Sequence, residues 1–208
     1  MTPADKLPVT SPANWIHGPQ QGNWTYDDYA ALPDDGNRYE IVEGVLYMSP
    51  APSINHQKIV GRIFYYLFTY IELEGLGTVL TSPIDAVLSR PNTLQPDVLV
   101  ILNAGQEKLQ EAKIVGAPDL VVEVASPGSS INDRNRKYRV YARAGVKEYW
   151  IVDPGTRTIE VLMLEGDDYR SLGVFREKAT LPSQIVPELP VQVKQFFPPA
   201  RNVSKNQN

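Results

Sequence analysis

Hydrophobic and polar residues change their spacing several times along this chain, and each change marks an element. Residues 24–36, WTYDDYAALPDDG, predict one short helix that stops at a Pro/Asp/Gly turn. The stretch RYEIVEGVLYMSP, residues 38–50, then alternates, with Tyr39 and Ile41 before a Glu43–Gly44 turn and Val45 and Tyr47 after it. That is a hairpin pattern. Over residues 53–75, apolar side chains recur at 59/60, 63/64, 67/68 and 71, the helical period. Ser53 or Asn55 is placed to cap this helix and Gly75 to end it. Strands are predicted at 77–81, 84–88, 97–102 and 120–125, and a second helix at 132–144 with Gly145 as its C-terminal cap. Three further strands follow at 148–154, 158–166 and 169–175. This order predicts the α/β (α+β) class: a mixed β-sheet flanked by helices, with an N-terminal β-hairpin extension.

The ends of the chain break the pattern. Residues 1–23 are polar and proline-rich and read as an arm, and 187–208 read as a tail. Within that tail, PELPVQVKQFFPPA is expected to be exposed and free to dock on a neighbour. A single domain is therefore expected over 24–186, and 42% hydrophobic residues suffice for its core. No window approaches the ~18 consecutive apolar residues needed to cross a bilayer. The first residues also lack the basic-then-apolar order of a secretion signal. With no cysteine there is neither a disulfide nor a thiolate metal site, and a cytoplasmic location is the default expectation. A net charge of −4 and a pI near 5.3 argue against non-specific coating of nucleic acid. They leave room for a site in which a divalent cation supplies the positive charge.

Four residues carry the candidate chemistry. Asp97 opens an apolar strand directly after Pro96, a residue confined to strand starts and edges. In DLVVEVAS, alternation puts Leu120, Val122 and Val124 on one face and Val121, Glu123 and Ala125 on the other. If these strands are neighbours, two facing carboxylates lie roughly 5 Å apart at Cβ. Such a pair repels, raising one pKa, unless a cation sits between them. On the second helix, Lys137, Val140, Tyr141 and Ala144 form the buried stripe, so Lys137 points inward. Of the neighbouring arginines 134, 136, 139 and 143, only Arg134 shares that stripe. His56 lies on the apolar face of the first long helix near its N-terminus, where the helix dipole favours a neutral imidazole. An acid–acid–lysine set in strand–strand–helix order suits divalent-metal hydrolysis of a phosphodiester.

Four segments together resemble the Uma-two family of restriction-endonuclease-like proteins, part of the PD-(D/E)XK nuclease superfamily. They are RYEIVEGVLYMSPAPSINHQKIVGRI, QPDVLVI, DLVVEVASPGS and DRNRKYRVYARAGVKEYWIVDP, spanning roughly 38–154. The resemblance implies a restriction-endonuclease-like core and Mg²⁺-dependent cleavage of DNA, with Mn²⁺ as a substitute. It maps the PD motif onto Pro96–Asp97 and the second acid onto Glu123, and implies Glu40 or Glu43 as an auxiliary acid. The superfamily lysine two residues after the second acid is Ala125 here, and the resemblance implies that Lys137 replaces it.

The leading expectation is therefore a metal-dependent endonuclease. Asp97, Glu123 and the Val124 carbonyl hold Mg²⁺, Lys137 positions the water, and His56 and Glu40 support the site. A homodimer is expected, because cutting both strands commonly takes two sites. The alternative from another class is an inactive nuclease-like module in protein interaction or regulation, which the acidic charge favours. A two-carboxylate glycosidase ranks below both, since no aromatic platform for a sugar accompanies the acids.

Overall fold

The computed structural model describes residues 10–126 and 131–199. Twelve strands lie in these residues: β1 Ser11–Pro12, β2 Arg38–Val42, β3 Val45–Ser49, β4 Gly77–Thr81, β5 Asp85–Ser89, β6 Asn92–Leu94, β7 Val98–Leu102, β8 Lys113–Val115, β9 Leu120–Val124, β10 Glu148–Asp153, β11 Thr158–Glu165 and β12 Asp168–Arg176. The α-helices are α1 Tyr26–Ala30, α2 Ile54–Leu67, α3 Ile131–Ala144 and α4 Val193–Phe196. The strands form two mixed sheets, ordered β1-β3-β2-β6-β5-β8 and β12-β11-β10-β9-β7-β4. The expected α/β class holds, with two sheets where one was anticipated.

Period-2 alternation sorts the second sheet into two faces. Val98, Val100, Leu120, Val122, Val124, Trp150 and Val152 pack with Ile59, Val60, Ile63 and Leu67 of α2. Leu99, Ile101, Val121, Tyr149 and Ile151 pack with Val140 and Tyr141 of α3 and with Val42, Tyr47 and Leu94 of the first sheet. The same parity turns Tyr39, Ile41 and Leu46 outward, under Ala13 and Trp24. Glu40, between Tyr39 and Ile41, therefore points into the molecule. At the hairpin tip, Glu43 and Gly44 both take positive φ, as a two-residue type I′ loop requires. A Cβ on Gly44 would meet the Gly22 carbonyl oxygen at 2.2 Å, so the tip accepts no side chain.

The helix caps follow local chemistry. Ser53, not Asn55, caps α2 by accepting from the His56 N–H. The helix expected to run unbroken to Gly75 widens into a π-turn over Phe68–Glu72. There the Thr69 hydroxyl donates to the Tyr65 carbonyl at 2.7 Å, competing with the α-helical ladder. Gly145 follows α3 at positive φ, as expected.

Both ends depart from the sequence reading. β1 pairs with β3, and Ala13 is fully buried, so this part of the N-terminal arm packs on the first sheet. The expectation of an exposed tail after 187 is also corrected. Leu189, Val191, Val193, Phe196 and Phe197 are buried in the α2 face of the second sheet. The Phe196 ring packs edge-on against Trp150 and Tyr66. Proline spacing suggested irregularity, and the apolar residues between the prolines decided the docking. The outermost parts of the expected arm and tail, 1–9 and 200–208, lie outside the described residues.

Truncating a buried phenylalanine costs about 3–5 kcal/mol through lost transfer energy and the cavity left behind. Phe196→Ala is therefore expected to lower unfolding stability by that amount in a urea titration. A loss below about 1 kcal/mol would mean that this segment is not part of the core.

Candidate active site

β7 and β9 are antiparallel neighbours, with Val98 opposite Val122. Continuing that register by one residue brings Asp97 opposite Glu123, the facing arrangement expected from sequence. Asp97 is buried, and its Oδ2 accepts the Val124 N–H at 2.8 Å. The same oxygen lies 3.1 Å from Nε2 of His56, which reaches it from the first turn of α2.

α3 closes the other side. The Lys137 Nζ lies 3.0 Å from Glu123 Oε1 and 3.2 Å from Oε2. It is also 3.0 Å from each oxygen of Glu40. One helical turn on, the Tyr141 hydroxyl donates to Glu123 Oε1 at 2.6 Å. Glu40 accepts the backbone N–H of Gln95 at 2.8 Å, which ties β2 to the residue preceding Pro96–Asp97. The Gln95 side chain is clamped in turn: its oxygen accepts from Arg38 Nε at 3.1 Å and its amide donates to Asp85 at 2.9 Å.

The structure thus brings together Asp97, Glu123, Lys137, Glu40 and His56. Of the two auxiliary candidates, Glu40 is at the cluster. Glu43 sits on the hairpin tip, where it pairs with Arg143 at 3.3 Å, both side chains being well exposed. Lys137 faces Glu123 although Ala125 occupies the usual lysine position. Arg134 leaves the stripe: it is exposed and donates to Glu160 on β11 at 2.5 Å. Two contributors were missed. Tyr141 read as core, although its position four residues after Lys137 placed it beside the same acid. Nothing in the sequence marks Gln95, whose partners Arg38, Glu40 and Asp85 come from other strands.

Three carboxylates share this cluster with one lysine and one histidine. Burial, with the charges of Asp97 and Glu40, outweighs the opposing pull of Lys137 and brings Glu123 up to about 7. The helix dipole alone predicts a lowered His56 pKa, and the neighbouring groups act against it. Burial disfavours its charge, but its hydrogen bond to Asp97, the Asp97 charge and the Glu123 charge together raise its pKa. A carboxylate at hydrogen-bonding distance outweighs a helix dipole, which is worth no more than about 2 kcal/mol.

The donor set suits a hard divalent cation. Among the described residues, no three His, Asp or Glu side chains converge as a ready-made metal cage. Mg²⁺ does not need one, because it binds through one or two carboxylates and keeps several waters. Such an ion would favour the ionised form of Glu123, which burial and the charges of Asp97 and Glu40 disfavour.

These shifts fix the sign of a pH effect. A group whose pKa is higher folded than unfolded stabilises the fold at low pH and loses that contribution as pH rises. For Glu123 the window runs from its ordinary 4.5 to about 7, and His56 acts in the same direction above 6.5. The metal-free protein is therefore expected to unfold at lower urea concentration at pH 8 than at pH 5.5. Glu123→Gln should narrow that difference, and equal midpoints for the wild type would contradict the assignment.

Comparison with known proteins places this geometry in a family. A search of curated proteins finds no match. A solved structure, described as a putative nuclease belonging to DUF820 from Anabaena variabilis ATCC 29413, superposes with a TM-score of 0.71. It is 20% identical, and the alignment covers 84% of this chain and 97% of that one, so the fold is shared. The model of the Uma2 family, described as "Putative restriction endonuclease", matches residues 26–194. That match includes every member of the acid cluster and most of the described chain, and the chain belongs to the Uma2 family.

Proposed function

We propose that this protein is a Mg²⁺-dependent endonuclease that hydrolyses phosphodiester bonds of DNA. The observation that carries the reading is the pairing of Asp97 and Glu123 across adjacent antiparallel strands, with Lys137 against Glu123. Family membership supports nuclease chemistry in general. Asp97, Glu123 and the Val124 carbonyl would hold the ion, with Mn²⁺ able to substitute. Once bound, the ion would polarise a phosphoryl oxygen and lower the pKa of a coordinated water.

The chain's own residues divide the remaining work. The Lys137 ammonium donates to both Glu123 and Glu40 and would stand beside any ion that Glu123 holds. That donor would orient the attacking water and stabilise the charge growing on the phosphoryl oxygens. Glu40 keeps the lysine aimed. His56 and the Val124 N–H fix the rotamer of Asp97, and the Tyr141 hydroxyl fixes Glu123. Cleavage of both strands would bring two such sites to one duplex, hence a homodimer.

With Mg²⁺ or Mn²⁺, the purified protein is expected to nick and linearise plasmid DNA, and EDTA is expected to stop it. Asp97→Ala and Glu123→Gln should each slow cutting by at least about a hundredfold, the scale on which removing electrostatic stabilisation acts. Lys137→Ala should fall in the same range while metal affinity, read by calorimetry, persists. Undiminished cutting by Asp97→Ala would sink the assigned site.

A further inference from the structure

Charge is unevenly distributed on this acidic chain. The 14 residues of α3 hold five of its 20 lysines and arginines, against a single acid, Asp133. Lys137 is taken by the acid cluster. On a neighbouring face, Arg136, Arg139 and Arg143 recur at i, i+3 and i+7, so they line up along the helix. The row starts beside the acid cluster. The Arg136 guanidinium lies 4.5 Å over the Tyr47 ring and donates to its hydroxyl at 2.5 Å. Tyr47 is the cross-strand partner of Glu40, which places Arg136 next to the carboxylate that holds Lys137. Arg139 is exposed and has no hydrogen bond or ion pair among the described residues. Arg143 ends the row at the hairpin tip, where its ion pair is with exposed Glu43. An ion pair so open to water is worth no more than about 1 kcal/mol, and a phosphate would displace it readily.

We propose that Arg136, Arg139 and Arg143 form a phosphate-binding ridge along which one strand of duplex DNA runs, from the acid cluster toward the β2–β3 tip. The inference rests on the nuclease reading and adds the path of the substrate. Seven residues at 1.5 Å each give the ridge about 10 Å, a length that corresponds to roughly three base pairs of rise along the DNA axis. Stacking on Tyr47 fixes the plane of the Arg136 fork, which suits it to a phosphate in one orientation. Arg139 and Arg143 are the adaptable residues further out. The ridge also reconciles a net charge of −4 with a polyanionic substrate, because the positive potential is concentrated on one helix beside the site.

The test is fluorescence anisotropy of a labelled 30-base-pair duplex across a salt series, with Ca²⁺ replacing Mg²⁺ to prevent cutting. Removing one side chain that neutralises a phosphate flattens the plot of log affinity against log salt by about 0.9. The double variant Arg139→Ala/Arg143→Ala is expected to bind at least tenfold more weakly in low salt, with a slope shallower by about 1.8. Arg139→Lys/Arg143→Lys, which keeps the charges, should recover the slope. Lys178→Ala, beside α4 on the opposite face of the second sheet, should match the wild type. A wild-type slope in the double alanine variant would overturn the ridge while leaving the nuclease reading intact. Absence of any salt-dependent duplex binding by the wild type would overturn both.

Discussion

The structure turns on one half-buried carboxylate: Glu123, in a core strand, pressed against Lys137. Desolvating an ionised carboxylate costs several kcal/mol unless attraction and hydrogen bonds offset it. Here the offset comes from Lys137 and Tyr141 on α3, and Lys137 is held in turn by Glu40 on β2. Asp97, next along the ladder, is secured by the Val124 backbone and by His56 on α2. Strands from both sheets and both long helices therefore meet at a single electrostatic problem, and their relative placement is fixed by solving it. The solution is incomplete, as the raised pKa of Glu123 indicates. A strongly perturbed carboxylate beside a specific charged partner marks this cluster as a candidate functional site.

The surrounding fold exists to hold that arrangement rigid. α2 and the C-terminal segment cover one face of the second sheet, leaving the other face for α3 and the first sheet. Because strand residues alternate, the same packing that buries Val122 and Val124 forces Glu123 toward α3. The hairpin works likewise: burying Tyr39 and Ile41 under the N-terminal segment directs Glu40 inward. Gln95 connects the halves, its backbone bonded to Glu40 and its side chain to Arg38 and Asp85, immediately before Pro96–Asp97.

Periodicity made most of this legible. The alternation of DLVVEVAS put Glu123 on the face opposite Val122, and the stripe of 137, 140, 141 and 144 pointed Lys137 inward; both are seen. What stayed hidden depended on interactions across elements. Glu40 and Glu43 could not be separated, because only the packing above the hairpin shows that the tip is exposed. The pull of Asp97 on His56 was not foreseen, because a helix dipole is visible in sequence and a carboxylate 41 residues away is not. Short strands such as β6 and β8 carry too few residues to show a period. The ends were read from their prolines, whereas Ala13 and Phe196 decided where they lie.

The central claim is that Asp97 and Glu123 share one divalent ion, and diffraction from a crystal soaked in Mn²⁺ tests it most directly. An anomalous peak is predicted between the two carboxylates, about 2.1 Å from an oxygen of each and within reach of the Val124 carbonyl. A crystal with ordered Asp97 and Glu123 and no peak between them, or with Mn²⁺ bound only elsewhere, would contradict it.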